Sequence, residues 1–338
     1  LRVGPAKKMC YRPLLERPPL HVGAILVAVH GPRLQTVGVQ RSFASGARKR
    51  GAIMSQNDDN GRTLFATDEV AVITGAASGI GKAAAERCAQ EGMRLVLFDR
   101  DGEGLAALAA TLRTEVRFST GDVSRIEDLE RLRDLAVNAF GRITVVMNNA
   151  AIPDEGSDNW AGLDAWRRVV AVNLWGVVHG THVFTPTLLA QRRRAAIINT
   201  GSKQGITNPP GSPAYAVAKA GVKVLTEQLA HGLRQSGTDV TAHLLVPGWT
   251  FTGMTRAPDG KQPAGTWTAE QVVDRMVAGV EAGDFYVICP DGAVTRELDA
   301  ARIAWSADDM IENRPALSRW HRDWAARFDA FVARRTGK

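Results

Sequence analysis

Cysteines are scarce in this sequence and long apolar runs are missing. Its three cysteines, Cys10, Cys88 and Cys289, lie far apart without a C-x-x-C spacing. This excludes a disulfide-stapled fold and a thiolate zinc site, and it indicates a reducing, cytoplasmic location. The apolar run at 24–29 is far shorter than the roughly 20 residues that span a bilayer, so no membrane-spanning segment is expected. With 45% hydrophobic and 23% charged residues, the composition is that of a globular protein with a sizeable core.

Acidic residues are almost missing from the first 53 positions. Residues 1–53 contain ten Lys or Arg and one acid, Glu16, a net charge of +9, whereas residues 54–338 contain 32 basic and 34 acidic residues, a net charge of −2. The body of the chain therefore lacks a basic stripe, and nucleic-acid binding is not expected. The basic segment precedes Met54 and is interpreted either as an over-extended translation start or as a mitochondrial presequence, which would place the protein in the matrix.

From Val70 onward, short β-branched runs alternate with longer helical periods, a pattern typical of a parallel sheet covered on both faces. The predicted strands are 70–74, 94–98, 116–119, 143–147, 195–199, 240–245 and 285–289. The predicted helices lie near 80–91, 104–113, 125–140, 164–190, 213–234 and 269–282. We predict an α/β fold: one doubly wound Rossmann domain over 61–290 with a seven-stranded parallel sheet, a disordered extension over 1–60 and a helical extension over 291–338.

A glycine-rich turn joins the first predicted strand to the first predicted helix. Residues 74–81 read Thr-Gly-Ala-Ala-Ser-Gly-Ile-Gly, with the spacing G-x-x-x-G-x-G. Glycines let the backbone approach a pyrophosphate, and the following helix N-terminus offers N–H donors. Glycine also serves turns for steric reasons alone, so the position between strand and helix is what favours nucleotide binding. The candidate cofactor contacts in this turn are Gly75, Ser78, Gly79, Ile80 and Gly81.

The second predicted strand ends at Asp99, eighteen residues after Gly81. A carboxylate at this place accepts hydrogen bonds from the ribose hydroxyls and repels a 2′-phosphate, which favours NAD over NADP. A helix-capping Asp in an ordinary turn is the alternative. Arg100 could shield a phosphate if Asp99 turned away, so NADP remains the less favoured cofactor.

Tyr215 and Lys219 stand four residues apart in a predicted helix that begins with Ser212 as N-cap and Pro213 as first helical residue. A phenol with a pKa near ~10 is a poor base at neutral pH. A neighbouring ammonium, together with the positive charge of an oxidised nicotinamide, would favour the phenolate and permit proton transfer. A surface Tyr–Lys pair is the alternative interpretation.

Three further polar features support a catalytic interpretation. Ser202 follows the fifth strand, where a hydroxyl can donate to a carbonyl oxygen. The fourth strand is followed by Asn-Asn-Ala-Ala over 148–151, whose amides can tie neighbouring strands together. Asn173 lies within a predicted helix, where Asn is a mediocre helix former, although an exposed helical Asn is the simpler alternative.

Taken together, these motifs resemble the short-chain dehydrogenase/reductase family, in the branch with the T-G-x-x-x-G-x-G turn. The match covers about 70–290 and rests on 74–81, Asp122-Val123, 148–151, Asn173, Ser202, Tyr215-x-x-x-Lys219 and Pro247-Gly248. The resemblance implies that Tyr215 is the general acid/base and that Ser202 orients the carbonyl. It also implies that Lys219 holds the ribose and lowers the tyrosine pKa, and that Asn173 supports a water-mediated proton relay.

The same resemblance implies the remaining cofactor contacts, with Asp122 touching adenine. These contacts are Asp122, Val123, Asn149, Ala150, Tyr215, Lys219, Pro247, Gly248, Thr250 and Thr252. The sequence departs from the family in Thr-Gly-Ser over 200–202 and in the final Ala of 148–151, neither of which removes a needed functional group.

The activity implied is reversible hydride transfer between a nicotinamide and a small secondary alcohol or ketone, in a homodimer or homotetramer formed through the helices near 164–190 and 213–234. A non-catalytic dinucleotide-binding redox sensor is the alternative, disfavoured by the intact Ser202, Tyr215 and Lys219. A nucleotide-sugar epimerase is disfavoured by the glycine spacing and the modest C-terminal region. The sequence does not identify the substrate.

Several residues outside these motifs also have expected roles. An apolar lid over the active site is expected from Trp249, Met254 and Trp267, with a packing role as the alternative. The opposite wall of the active site is expected to contain Asp154, Glu155 and Trp160.

An aromatic stripe near the C-terminus has the spacing of one helical face and contains Trp320, Trp324, Phe328 and Phe331. It indicates an amphipathic helix that packs on the body of the protein or on a partner subunit, or else contacts a ligand. His179 and His182 have a spacing seen in metal sites but no carboxylate companion, so no metal is expected.

Overall fold

A computed structural model describes residues 63–158, 160, 162–255, 261–292 and 294–337. The extension predicted over 1–60, with both interpretations of residues 1–53, lies outside the described residues. Among the described helices, none combines the length and the apolar character that crossing a membrane requires.

The predicted alternation of strands and helices is confirmed. The described strands are β1 (Val70–Thr74), β2 (Arg94–Asp99), β3 (Val116–Thr120), β4 (Val145–Asn148), β5 (Ala195–Thr200), β6 (Val240–Val246), β7 (Thr250–Phe251), β8 (Trp267–Thr268) and β9 (Tyr286–Ile288). The α-helices are α1 (Gly79–Gln90), α2 (Gly102–Thr111), α3 (Ile126–Phe140), α4 (Leu163–Val170), α5 (Gly176–Gln191), α6 (Gln204–Thr207), α7 (Pro213–Ser236), α8 (Ala269–Glu281), α9 (Arg296–Ile311) and α10 (Ala325–Thr336).

Seven of these strands form one parallel sheet in the order β3-β2-β1-β4-β5-β6-β9. The order reverses between β1 and β4, which are neighbours in register Ile73 to Met147. Ligands of doubly wound folds bind outside the carboxyl ends of the strands at this reversal. The strands β7 and β8 form a separate two-residue pair. A ligand site is therefore expected at the carboxyl ends of β1, β4, β5 and β6.

Helices cover both faces of the sheet, and all five residues of β1 are therefore buried. Ile73 belongs to a core cluster that includes Met276 of α8. Val72 points to the opposite face and belongs to a cluster with Leu129 of α3 and Phe184 of α5. A continuous apolar strand is what two covered faces require, because successive side chains alternate between them.

The prediction of a single helix over 164–190 is wrong in one respect: a π-helical segment, Ala171–Trp175, separates α4 from α5. Asn173 lies in this segment and is fully buried, so the alternative of an exposed helical Asn is also wrong. Such wide turns insert one extra residue into the helix and commonly occur at functional sites. The irregularity coincides with a side-chain hydrogen bond to a neighbouring loop, described below.

The C-terminal aromatic stripe does not form one helix. Trp320 lies in a 3₁₀ turn, Ser318–Trp320, and Trp324 immediately precedes α10. The rings of Trp324, Phe328 and Phe331 surround Trp305 of α9, with centroid separations of 6.2, 5.4 and 5.2 Å. The predicted packing of this region on its own chain thus occurs through α9, which the stripe alone did not reveal.

Candidate active site

A cavity of about 310 Å³ opens at the carboxyl ends of the central strands. Most residues predicted to bind a cofactor or act in catalysis line it. These are Gly75, Ser78, Gly79, Ile80, Asp99, Asp122, Val123, Asn149, Ala150, Ser202, Tyr215, Lys219, Pro247, Gly248, Thr250 and Thr252. The structure thus brings together side chains and turns from a stretch of nearly 180 residues. Two predicted residues, Gly81 and Asn173, lie outside the lining.

The glycine turn between β1 and α1 lines the cavity. Gly75 and Gly79 adopt left-handed conformations, with φ of 68° and 53°, which glycine adopts without strain. Ser78 is the N-cap of α1, but its side chain makes no capping hydrogen bond, and the first turn contains no acidic residue. The N-terminal amides of α1 therefore keep their capacity to bind an anion.

Gly81 has a steric role behind this turn. A Cβ atom on Gly81 would lie 2.0 Å from the carbonyl oxygen of Gly75 and 2.8 Å from Nδ2 of Asn149. Only glycine therefore allows α1 to approach the end of β1 so closely. The third glycine of the motif shapes the turn, while Gly75 and Gly79 line the cavity.

Asp99 anchors the glycine turn to the end of β2. Its Oδ2 accepts a hydrogen bond from the backbone N–H of Ala77 at 3.0 Å, and its Oδ1 accepts one from Asp101 at 3.1 Å. The N-cap of α2 is Asp101, whose side chain accepts from Gly104 N–H at 2.9 Å. The alternative of Asp99 as a helix cap is therefore wrong, and a carboxylate stands at the cavity edge.

On the adenine side predicted by the resemblance, Asp122 is held by a network of hydrogen bonds. Its Oδ1 accepts from Ser124 N–H at 2.8 Å, and its own N–H donates to Asp128 at 2.8 Å. Burial alone would raise the pKa of Asp128, but the hydrogen bond from Asp122 and the ion pairs with Arg131 and Arg125 outweigh it and lower this pKa. Asp128 thus remains a carboxylate that fixes the loop.

Amide side chains tie the ends of the central strands together. Asn148 donates to Oδ1 of Asn199 at 2.8 Å, which links β4 to β5. Asn149 donates through its backbone N–H to Thr74 Oγ1 at 2.9 Å, and through Nδ2 to the Thr74 carbonyl at 3.1 Å. Thr200 in turn donates to Oδ1 of Asn149 at 3.3 Å. The amides of Asn148 and Asn149 thus tie neighbouring strands together, as the sequence predicted, and Asn149 also lines the cavity.

Ser202, Tyr215 and Lys219 converge in the cavity. The Tyr215 side chain is hydrogen-bonded to Ser202. Lys219 is buried, its Nζ donates to the Thr200 carbonyl at 2.7 Å, and this nitrogen lies 5.7 Å from the Tyr215 ring centroid. The i, i+4 spacing on α7 thus places an ammonium group beside the phenol, with the Ser202 hydroxyl bonded to it.

Burial governs the titration of this group of side chains. Burial lowers the pKa of Lys219 to about 8. Burial also raises the pKa of Tyr215, and the hydrogen bond with Ser202 offsets this only in part. The net direction for Tyr215 is upward because the loss of solvation outweighs this hydrogen bond, and the lowering of the tyrosine pKa by Lys219 stays a prediction.

The N-terminus of α7 is capped from a distant loop. Ser212 occupies the N-cap position and Pro213 the first turn, as predicted, but the Ser212 side chain makes no capping bond. Instead, Ser157 Oγ accepts from Ala214 N–H and Asp154 Oδ2 accepts from Tyr215 N–H, both at 3.2 Å. The loop after β4 therefore holds the helix that carries Tyr215.

The predicted cavity walls need correction. Asp154, Glu155 and Trp160 do not line the cavity among the described residues, because Asp154 points to the end of α7 and Trp160 is largely exposed. Of the three residues expected in a lid, Met254 lines the cavity, whereas Trp249 and Trp267 do not. Trp249 and Trp267 are instead held by a backbone hydrogen bond between them. Ile152, which sequence reasoning missed, also lines the cavity.

Asn173 fixes the wall that contains Ile152. Its Oδ1 accepts from Ile152 N–H at 2.8 Å, and its Nδ2 donates to the Ile152 carbonyl at 2.9 Å. A buried amide with both ends paired orients a backbone segment. The side chain is therefore fully engaged with its own chain, and a part in a proton relay stays a prediction.

His179, the first histidine of the pair, is engaged with its own chain. Nδ1 of His179 is hydrogen-bonded to the Val123 carbonyl at 3.0 Å, and its ring packs against Trp175 with a centroid separation of 5.7 Å. Within the described parts of the chain, no three His, Cys, Asp or Glu side chains are grouped for a metal ion. His179 thus supports the loop that contains Val123.

The buried ammonium predicts a stability that depends on pH. Between pH of about 8 and 10.5, unfolded chains hold a proton on Lys219 that folded chains have released, so stability rises with pH across this window and is lost as pH falls. At about 1.4 kcal/mol per pKa unit, the free energy of unfolding of the wild type should rise by about 3 kcal/mol more than that of Lys219→Met across this window. Urea unfolding at pH 7 and pH 10 measures this difference. Lys223→Met, at a surface lysine paired with Glu227, is the control, and equal pH dependence in all three proteins would contradict the expectation.

Known proteins resemble this chain in sequence. The family described as short chain dehydrogenase matches residues 69–262, more than half of the chain. A 1-deoxy-11-beta-hydroxypentalenate dehydrogenase of Streptomyces avermitilis is 34% identical over 243 residues, covering 70% of this chain and 89% of the relative. A sulfoacetaldehyde reductase 2 of Chromohalobacter salexigens is 33% identical over 252 residues, covering 71% of this chain and 97% of the relative.

Solved structures share the fold. A short-chain dehydrogenase/reductase from Burkholderia phymatum, crystallised with NAD, has a TM-score of 0.66 at 33% identity, covering 73% of this chain and 96% of its own. A levodione reductase has a TM-score of 0.58 at 28% identity, covering 65% and 92%. The family match, the parallel sheet and the lining of the cavity lead to one conclusion. The chain belongs to the short-chain dehydrogenase/reductase family of oxidoreductases.

Proposed function

We propose that this protein interconverts a secondary alcohol and the corresponding ketone with NAD as the preferred cofactor. The observation that carries the proposal is the convergence of Ser202, Tyr215 and Lys219 on the cavity that the glycine turn also lines. A site that only binds a dinucleotide has no need of a hydroxyl pair and a buried ammonium, because desolvating such groups is costly without a function.

The residues of the cavity fit a nicotinamide dinucleotide. The uncapped amides of α1 suit a pyrophosphate, since N–H donors and the helix dipole both favour an anion there. Asp99 suits an adenosine ribose, because a carboxylate accepts from two vicinal hydroxyls. Asp122 and Val123 would contact the adenine, and Thr250 and Thr252 the nicotinamide end. The related structure from Burkholderia phymatum, crystallised with NAD, supports the same choice.

The residues of this chain divide the chemistry between them. When bound, the nicotinamide supplies or accepts the hydride. Ser202 donates a hydrogen bond to the carbonyl oxygen and thereby orients it. Tyr215 gives its proton to this oxygen during reduction and takes the hydroxyl proton during oxidation. The ammonium of Lys219 favours the phenolate at the moment when the proton leaves Tyr215, because opposite charges attract strongly in a site removed from water.

Asp99 is expected to set the cofactor preference. Asp99→Asn keeps an oxygen that can accept from Ala77 N–H but removes the negative charge that repels a 2′-phosphate. We expect the ratio of kcat/KM for NADP to that for NAD to rise by about tenfold or more, a change of about 1.4 kcal/mol. The measurement is kcat/KM with each cofactor. Glu103→Gln, which removes a charge from the first turn of α2, is the control, and an equal rise in both variants would contradict the role of Asp99.

Helices α5 and α7 are proposed to form a homodimer or homotetramer interface. Large apolar side chains are exposed at Trp175, which directly precedes α5, and at Val217 and Val224 of α7. Val217 and Val224 are seven residues apart and thus lie on one face of the helix. Sedimentation velocity would report the assembly, and Val224→Glu should dissociate it.

A substrate screen tests the proposed function. Secondary alcohols are offered to the protein with NAD or NADP, and ketones with NADH or NADPH. The absorbance of the reduced cofactor reports turnover in each case. Turnover of at least one alcohol–ketone pair, faster with NAD than with NADP, is expected. Tight dinucleotide binding without turnover of any compound would instead indicate a redox sensor.

A further inference from the structure

Lys203 directly follows Ser202 and has a buried environment that the proposed chemistry does not use. Its Nζ is paired with Oδ1 of Asp291 and lies 2.8 Å from Oδ2 of Asp299. The side chains of Lys203, Asp291 and Asp299 are only 15%, 11% and 4% exposed. We call these three residues the Lys203 cluster. Asp299 belongs to α9, so the cluster joins the Ser202 loop to the C-terminal extension.

The Lys203 cluster also holds the Pro247–Gly248 turn. The backbone N–H of Lys203 donates to the Pro247 carbonyl at 3.1 Å. Oδ2 of Asp291 accepts from Trp249 N–H at 2.8 Å. Gly248 lies so close to Asp291 that a Cβ atom on it would stand 2.4 Å from the carboxylate. Since Pro247 and Gly248 line the cavity, the cluster lies directly behind the site.

Burying such charges is unfavourable unless each is paired, and a buried ion pair often adds little stability over apolar packing. Two carboxylates here share a single ammonium, and burial raises the pKa of Asp299. What the arrangement does provide is a fixed geometry, because the ammonium is hydrogen-bonded to Asp291 and ion-paired with Asp299 at the same time. It fastens together the three segments that meet at the Ser202 loop: the loop itself, the Pro247–Gly248 turn and α9.

We propose that Lys203 is a positioning residue, which holds the Ser202 hydroxyl in place by anchoring its loop to Asp291 and Asp299. The C-terminal extension is then part of the catalytic apparatus through one carboxylate of α9. This inference rests on the proposed function, since Ser202 must orient a carbonyl for its position to matter. A displacement of a catalytic group by about 1 Å can cost up to about a hundredfold in rate.

The test compares Lys203→Met, Lys203→Arg and Asp299→Asn with Asp309→Asn. Asp309 also lies in α9, but its carboxylate accepts from the backbone N–H and the hydroxyl of Ser318, at 3.1 and 2.6 Å. Each variant is assayed for kcat with a substrate found in the screen, for NADH affinity by fluorescence titration, and for melting temperature. Lys203→Arg keeps the positive charge that pairs with Asp291 and Asp299.

We expect kcat of Lys203→Met to fall by about tenfold or more, NADH affinity to change by less than about threefold, and Lys203→Arg to recover most of the loss. Asp299→Asn should lower kcat by several fold. If Lys203→Met does not fold, the kcat of Asp299→Asn alone tests the positioning role. Asp309→Asn should lower the melting temperature and keep wild-type kcat.

Wild-type kcat in both Lys203→Met and Asp299→Asn would overturn the positioning role and leave the proposed function intact. The positioning role would also be overturned if Asp309→Asn lowered kcat as much as Asp299→Asn does. The loss of kcat would then come from reduced stability of the protein and not from the position of Ser202. A wild-type protein without any turnover would overturn the proposed function, and the positioning role with it.

Discussion

Tyr215→Phe is expected to lower kcat by about a thousandfold or more and to change NADH affinity by less than about twofold, because it removes only the hydroxyl that transfers the proton. The ring stays in place, so its packing against Lys219 and the shape of the cavity persist. Steady-state kinetics and NADH fluorescence titration measure the two quantities. Wild-type kcat in this variant would show that Tyr215 is not the acid/base.

Tyr286→Phe is the matched control for this experiment. Tyr286 lies in β9, and its hydroxyl donates to Glu227 at the protein surface, away from the cavity lining. The same chemical change is therefore made at a tyrosine that has no catalytic part. We expect wild-type kcat and NADH affinity, so a loss of kcat in both variants would point to an unspecific effect of removing a phenol.

Gly81→Ala is expected to cause the largest loss of stability among single-methyl changes near the site. The added Cβ would lie 2.0 Å from the Gly75 carbonyl oxygen, which is backbone and has no rotamer to escape into. Overpacking costs about 1–3 kcal/mol and sometimes more. Because the turn must shift to relieve the collision, we also expect NADH affinity to fall by about tenfold or more. Urea unfolding and NADH titration measure the two effects.

Gly232→Ala is the control for the methyl group itself. Gly232 lies within α7, and apart from its chain neighbours and the nearby backbone of this helix, no atom of the described residues comes within 4 Å of the position of an added Cβ. Alanine is favoured over glycine in a helix interior by about 1 kcal/mol, so a small gain in stability and unchanged NADH affinity are expected. If Gly81→Ala behaved like Gly232→Ala, the close approach of α1 to β1 would not matter for this fold.

The sheet and the glycine turn could be predicted because both depend on local sequence. Alternation of apolar strands with helices reports burial on two faces, and each strand of the main sheet overlaps its predicted range. The i, i+4 spacing of Tyr215 and Lys219 likewise follows from one helix. Where the chain forms regular structure, neighbouring residues in sequence determine which side chains share a face.

The supports of the site could not be predicted, because they join residues that are remote in sequence. Asp154 caps the helix of Tyr215 across 61 residues, and Lys203 reaches Asp291 across 88. Polar contacts of this kind leave no periodic pattern in the sequence. The π-helical turn around Asn173 was missed for a related reason: the side chain that it contains is bonded to Ile152, in a loop 21 residues away.

The fate of deuterium on a secondary alcohol tests the proposed reaction most directly. A substrate labelled at the carbinol carbon is oxidised by the protein with NAD, and the reduced cofactor is analysed by mass spectrometry and NMR. Direct hydride transfer predicts one deuterium on the nicotinamide ring for each ketone formed, on a single face of C4. Deuterium released to water, or a cofactor that stays unlabelled while ketone accumulates, would contradict it.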